Sequence, residues 1–165
     1  MSFRLAIVAT IGLAVCAGAR AAVTPVSAAA APVAVSAQGA KTQWDGVYTI
    51  DQAKRGEKLY AEKCSSCHGP DMNGGEMAPG LTGGEFTSNW NDLSIGDLFE
   101  RIRISMPQNA PGSLSRQENA DILSYILNKG NYPPGKAELP TQTEVLNGYK
   151  FLAVKPQEPE LRIRN

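Results

Sequence analysis

Two stretches of the chain repeat apolar residues at helical spacing. Ile95, Leu98, Phe99 and Ile102 stand at i, i+3, i+4 and i+7, which is one face of a helix. Ile122, Leu123, Ile126 and Leu127 form a second such face. Each is preceded by a start signal. Ser115-Arg116-Gln117-Glu118 is a full capping box, and Ser94-Ile95-Gly96-Asp97 is a weaker relative with a shorter acid. Gly130 and Pro133 stop the last helix. A further helix is expected from Asp51, a candidate N-cap, through Gly56 and Tyr60 towards Cys64. After His68, residues Gly69, Pro70, Asn73, Gly74, Gly75, Pro79, Gly80, Gly83 and Gly84 exclude long regular elements. No stretch alternates like a strand with hairpin turns, and no internal repeat is evident. The expected class is all-α, with three or more helices.

The ends read differently from the middle. Arg4 followed by the apolar stretch Leu5 to Val15 and the small-x-small run Ala19-Arg20-Ala21 has the anatomy of a secretory signal, residues 1–21. Cleavage there would start the mature chain at Ala22. The apolar stretch is short for a membrane span, which needs about 20 residues. Cys16 offers lipidation as a third fate, but Val15 departs from the small residue a lipobox wants. Membrane association is therefore expected only if the signal is uncleaved or Cys16 is lipidated. Residues 22–43 read as an Ala/Pro/Val/Ser-rich linker, with Pro25 and Pro32 opposing regular structure. Residues 44–130 form the folded domain. Residues 131–165 are a C-terminal extension rich in proline and charge. Its Val145, Leu146, Tyr149, Phe151 and Leu152 either pack on the domain or belong to a free tail.

Composition narrows the field little. The 165 residues include sixteen basic and sixteen acidic side chains, and 42% are hydrophobic. That suits one small core. Removing residues 1–21 takes away two arginines and no acid, leaving a formal charge of −2. No lysine-rich docking face is implied. No basic stretch is interleaved with aromatics, so no nucleic-acid partner is expected.

Chemistry enters at Cys64-Ser65-Ser66-Cys67-His68, a haem c attachment motif. Two thiols three residues apart lie about one helical turn from each other, so both reach one edge of a flat ring. Each forms a thioether with a haem vinyl group, and the adjacent His68 supplies the proximal iron ligand. A dithiol redox motif leaves His68 unexplained and lacks its βαβ setting. A structural zinc site needs four ligands, and the mature chain offers two cysteines and one histidine. With His68 the only histidine, bis-histidine ligation within the chain is excluded. Met72, Met77 and Met106 compete for the other side of the iron, against ordinary packing roles. Met106 stands thirty-eight residues beyond His68, just after a helix and before Pro107, which ends that helix.

On these motifs the stretch Trp44–Gly130, about half the chain, resembles a class I c-type cytochrome. Gly56-Glu57-Lys58-Leu59-Tyr60 is similar to the family's first-helix pattern, and Ile122-Leu123-Ser124-Tyr125 to its last-helix partner. The resemblance implies a cytochrome c fold around one covalent haem c, with those helices crossing at Gly56 near Tyr125. It implies that Pro79, in Ala78-Pro79-Gly80-Leu81, accepts a hydrogen bond from His68 Nδ1, and that Met106 is the distal ligand. Met106 to Leu127 is especially similar to small cytochromes and cytochrome domains associated with bacterial quinoprotein dehydrogenases. Trp90, rather than Tyr48, is assigned a propionate contact, with edge packing as the alternative.

The expected function is a periplasmic monohaem electron carrier, not an enzyme. Its partners would be an exported dehydrogenase as donor and a cytochrome or terminal oxidase as acceptor. His/Met ligation saturates the iron and gives a relatively high potential. The alternative is an electron-relay subunit of a quinoprotein dehydrogenase complex. An open-site haem enzyme or gas sensor is disfavoured, because no second histidine is available as a distal base.

Overall fold

The computed structural model describes residues 41–157. The proposed signal, residues 22–40 of the linker and residues 158–165 lie outside the described residues. Among the described residues six α-helices carry the fold: α1 (Ile50–Lys63), α2 (Ser65–His68), α3 (Gly83–Trp90), α4 (Ile95–Ser105), α5 (Arg116–Lys129) and α6 (Thr143–Leu146). Two short strands, β1 (Lys41–Thr42) and β2 (Tyr149–Lys150), pair in parallel, with Lys41 opposite Tyr149. The all-α class is right, and none of the described helices is long and apolar enough to cross a membrane.

α4 and α5 start where their sequences say. In α5, Ser115 Oγ accepts from Glu118 N–H at 3.2 Å while the Glu118 carboxylate accepts from Ser115 N–H at 2.7 Å. In α4, Asp97 closes the same reciprocal box with Ser94 despite its shorter side chain. α1 starts two residues early. Its N-cap is Thr49, whose hydroxyl accepts from Gln52 N–H at 3.2 Å, so Asp51 sits inside the first turn. There its carboxylate favours the helix N-terminus and pairs with exposed Lys54. The glycine-rich loop is also shorter than expected. Gly83 and Gly84 open α3, whose Phe86 is buried.

The core is the α1–α5 contact. Gly56 makes it: a Cβ there would lie 1.8 Å from Asp121 O and 2.4 Å from Asp121 C. The helices do cross at Gly56, but against Asp121 and Ile122 rather than beside Tyr125. Tyr125 lies one turn further on, its ring 5.6 Å from that of Tyr60. Buried Asp121 is held by the Arg55 fork, with Nε and a terminal nitrogen each 2.9 Å from a carboxylate oxygen. Arg55 also reaches Glu138 at 2.9 Å. These carboxylates raise the already high guanidinium pKa.

The C-terminal extension packs. Leu139, Leu146 and Phe151 are fully buried, although Val145 faces solvent. Two buried glutamines tie it down. Gln52 donates to Leu139 O at 3.1 Å and accepts from Leu139 N–H at 2.6 Å. Gln43 does the same for Leu152, donating at 2.5 Å and accepting at 2.9 Å. Each amide thus satisfies one residue's backbone as a paired strand would. Lys41 to Gln43, assigned to the linker by composition, belong to this ordered structure.

Candidate functional site

The cysteine–histidine motif straddles two helices. Cys64 caps the C-terminus of α1, its N–H bonded to Tyr60 O at 2.9 Å, and then starts α2. Cys67 and His68 both turn their N–H groups onto Cys64 O, at 3.1 and 3.0 Å. This one-turn helix therefore brings the two thiols and the imidazole into a single short segment. The thiols are not joined to each other. Cys64 is half-buried and Cys67 exposed. Burial, and then the neighbouring Cys67, push the Cys64 thiol up to about 11.

His68 is buried, and its Nδ1 lies 2.7 Å from Pro79 O. With Nδ1–H donating to that carbonyl, Nε2 is the nitrogen left to act as a ligand. Backbone folding puts the carbonyl there. Gly69 to Gly80 doubles back on itself, with Gly74 N–H on His68 O at 2.9 Å and Gly75 N–H on Ala78 O at 2.9 Å. Gly74 has φ +74°, and a Cβ there would come within 2.4 Å of Gly80 N and 2.7 Å of Pro79 C. Only glycine lets the two limbs of the loop touch at this point.

Tyr60 adds a contact that spacing did not foretell. Its hydroxyl donates to Gly69 O at 2.6 Å, fastening the residue after His68 to α1. Its pKa is pushed up to about 12, by burial first and then by Cys64, Tyr125 and Asp71. The sequence marked Tyr60 only as an aromatic packing partner, which concealed the hydroxyl's role.

The three methionines fall into different surroundings. Met72 is fully buried in the hydrophobic core at φ +59°, and its backbone carbonyl accepts from Leu81 N–H at 2.9 Å. Met77 is 77% exposed. Met106 is half-buried and caps α4, its N–H on Ile102 O at 2.9 Å. Trp90 is half-buried, 6.3 Å from the Phe86 ring. Tyr48 is fully buried. Its hydroxyl donates to Tyr132 O at 2.6 Å and accepts from Asn128 at 3.3 Å, so it is already committed to the core.

Residues 51–126 match the family described as cytochrome c oxidase, cbb3-type, subunit III. A thiosulfate dehydrogenase from Psychrobacter arcticus is 31% identical over 100 residues, which is 53% of this chain and 31% of that protein. The chain therefore spans about a third of that relative's length. A crystal structure of the sulfane dehydrogenase SoxCD from Paracoccus pantotrophus aligns over 62% of this chain and 57% of its own, at 24% identity and a TM-score of 0.40.

Proposed function

We propose that this chain carries a c-type cytochrome domain and is an electron-transfer protein with one covalent haem c held by Cys64, Cys67 and His68, a reading supported by the family match over residues 51–126. The donor set fits the group. Two unpaired thiols stand one helical turn apart, beside a histidine whose Nδ1 is already bonded. That last bond, His68 Nδ1 to Pro79 O at 2.7 Å, is the observation that carries the reading.

When bound, haem c supplies a one-electron iron couple. The chain's own residues do the rest. Cys64 and Cys67 would give the thioether sulfurs, and His68 Nε2 the proximal ligand. The Pro79 carbonyl fixes the ring orientation. Tyr60 holds Gly69, so the turn carrying His68 cannot slide along α1. Met106, at the end of α4, would supply a second iron ligand. Its half-burial suits a sulfur facing a cofactor better than the full core burial of Met72 or the exposure of Met77. Trp90 keeps the role of propionate contact, supported by its half-buried setting beside Phe86.

The donor is an exported dehydrogenase and the acceptor another cytochrome or a terminal oxidase. The signal pattern of residues 1–21 supports a periplasmic location. The relative's name adds an enzyme of sulfur compounds to the quinoprotein dehydrogenases as a donor class. A second reading makes the chain a relay subunit inside such a dehydrogenase. It rests on that relative, in which the matched part is only 31% of a protein named for its enzymatic activity.

The holoprotein made in a host that matures c-type cytochromes tests the proposal. The haem should survive acid–acetone extraction, and Cys64→Ala or Cys67→Ala should block normal maturation. Loss of all haem from the parent protein sinks the attachment. Thiosulfate added to the oxidised protein alone should leave its spectrum unchanged. Turnover with an artificial acceptor would instead make the chain itself the enzyme. Co-purification with a dehydrogenase at fixed stoichiometry would favour the relay subunit over the free carrier.

A further inference from the structure

The helix that ends at Met106 is held by residues outside the matched cytochrome stretch 51–126. The chain entering α4 is bonded both ways to the extension. Asp92 N–H donates to Phe151 O at 2.8 Å, and Phe151 N–H donates to Leu93 O at 2.8 Å. At the first turn of α4, Ser94 Oγ stands 3.1 Å from Asn147 Oδ1. Gly96, in the same turn, meets Asn147 so closely that a Cβ would lie 2.0 Å from Oδ1 and 2.9 Å from the backbone nitrogen.

Halfway along α4, the Thr143 hydroxyl donates to the Glu100 carboxylate. That carboxylate also accepts from Arg103 at 2.6 Å and lies 3.7 Å from Arg116. Arg116 in turn donates to Thr141 O at 2.8 Å and Thr143 Oγ1 at 3.2 Å. The extension therefore grips α4 at its entry, its first turn and its middle. Met106 follows the last turn directly.

We propose that residues 141–151 form a strap that seats α4 and thereby aims the Met106 sulfur, with Thr143 and Asn147 as positioning residues for the distal ligand. This rests on Met106 being that ligand. A helix gripped at three levels moves as a unit, so loosening the grip shifts its end. The thioether segment, Cys64 to His68, stands on the other helix pair and keeps its own bonds.

The test uses the full-length holoprotein carrying Thr143→Val, Asn147→Ala or both, with Thr143→Ser as the conservative control. Asn147 is exposed and Thr143 half-buried, so these changes leave the core intact. Three properties are read: haem content, the near-infrared sulfur-to-iron band of the oxidised protein, and its affinity for added imidazole, which competes with a sulfur ligand. Haem content should stay at the parent level. Imidazole should bind about tenfold more tightly to the double variant, and Thr143→Ser should behave as the parent does. Unchanged imidazole affinity in both Thr143→Val and the double variant overturns the strap. Met106→Ala is measured alongside. Persistence of the sulfur band in that protein overturns the ligand assignment itself. Loss of the band there, with imidazole affinity unmoved in the strap variants, overturns the strap alone.

Discussion

At the α1–α5 crossing two backbones touch, with no room at Gly56 for even one carbon. Along α4 the approach is made mostly by side chains: Asn147 on Gly96, Thr143 on Glu100, Arg116 on the 141–143 turn. From the crossing α1 runs on into the cysteine–histidine segment, and the α4 flank leads to Met106. One side of the domain is thus fixed by close packing, which tolerates almost no displacement. The other adds to its buried Ile95, Leu98 and Phe99 a set of hydrogen bonds, each of which contributes modestly and can be lost singly. The contrast leaves the α1–α5 side the more rigid and the α4 flank the more adjustable.

The largest effect should come from the crossing. On helix propensity alone Gly56→Ala would help by up to about 1 kcal/mol. A Cβ 1.8 Å from a backbone carbonyl oxygen forces the helices apart instead. Overpacking costs about 1–3 kcal/mol, and here no flexible side chain can yield, so a loss of about 3 kcal/mol is expected. Denaturant unfolding of Gly56→Ala against the parent measures it. A variant as stable as the parent would mean the two helices separate freely and would erase the contrast.

A middling effect should come from Gln52, the buried amide that joins α1 to the extension. Gln52→Ala leaves both Leu139 N–H and Leu139 O without their partner. Unsatisfied buried groups cost about 1–3 kcal/mol each, and relaxation of the extension recovers some of that, so about 2 kcal/mol is expected. Hydrogen exchange sharpens the point, since the Leu139 amide should lose protection before those of α5 do.

The smallest effect belongs to the α4 flank and depends on pH. Arg103 first, and then the Thr143 hydroxyl, hold the Glu100 carboxyl down at about 2 from an ordinary 4.5. Its folded form therefore binds a proton less readily than its unfolded form. The stabilisation is complete above about pH 4.5 and is lost as pH falls towards 2. Partial exposure screens the pair, so about 1 kcal/mol is at stake. Thermal melts of Glu100→Gln between pH 6 and pH 2.5 should show a shallower acid decline than those of the parent. Identical slopes would remove Glu100 from the account of how α4 is held.

What the sequence made legible follows the same division. Helix starts at Ser94 and Ser115 were readable because a cap and an acid three residues later form a local signal. The α1 start was misplaced because Thr49 and Asp51 are both good caps, and only the first is used. The crossing was anticipated from Gly56, but its register was set one turn late. The aromatic pair Tyr60–Tyr125 marks the neighbourhood, while the backbone contact falls at Asp121. α3 escaped notice because its opening Gly-Gly reads as loop. The two glutamines that dock the extension carry no periodic signature. A polar side chain that pairs with a distant backbone looks, in sequence, like any surface residue.

At the site, the Cys64–His68 segment and the Pro79 carbonyl beside His68 were visible as motif and resemblance. The Tyr60 hydroxyl and the Gly74 contact were not, because both depend on how a glycine-rich loop folds back. Among the methionines, sequence spacing favoured Met106 without separating it from Met77. Burial separates Met72, which the core absorbs.

The two amide clamps span long stretches of chain. Gln52 meets Leu139 across 87 residues, and Gln43 meets Leu152 across 109. Closing such loops costs entropy before any contact rewards it, and contacts so far apart in sequence form slowly. In a refolding experiment the α1–α5 pair should therefore gain protection ahead of both clamps. During that interval α4 is held by its buried Ile95, Leu98 and Phe99 alone, and the extension closes over it last.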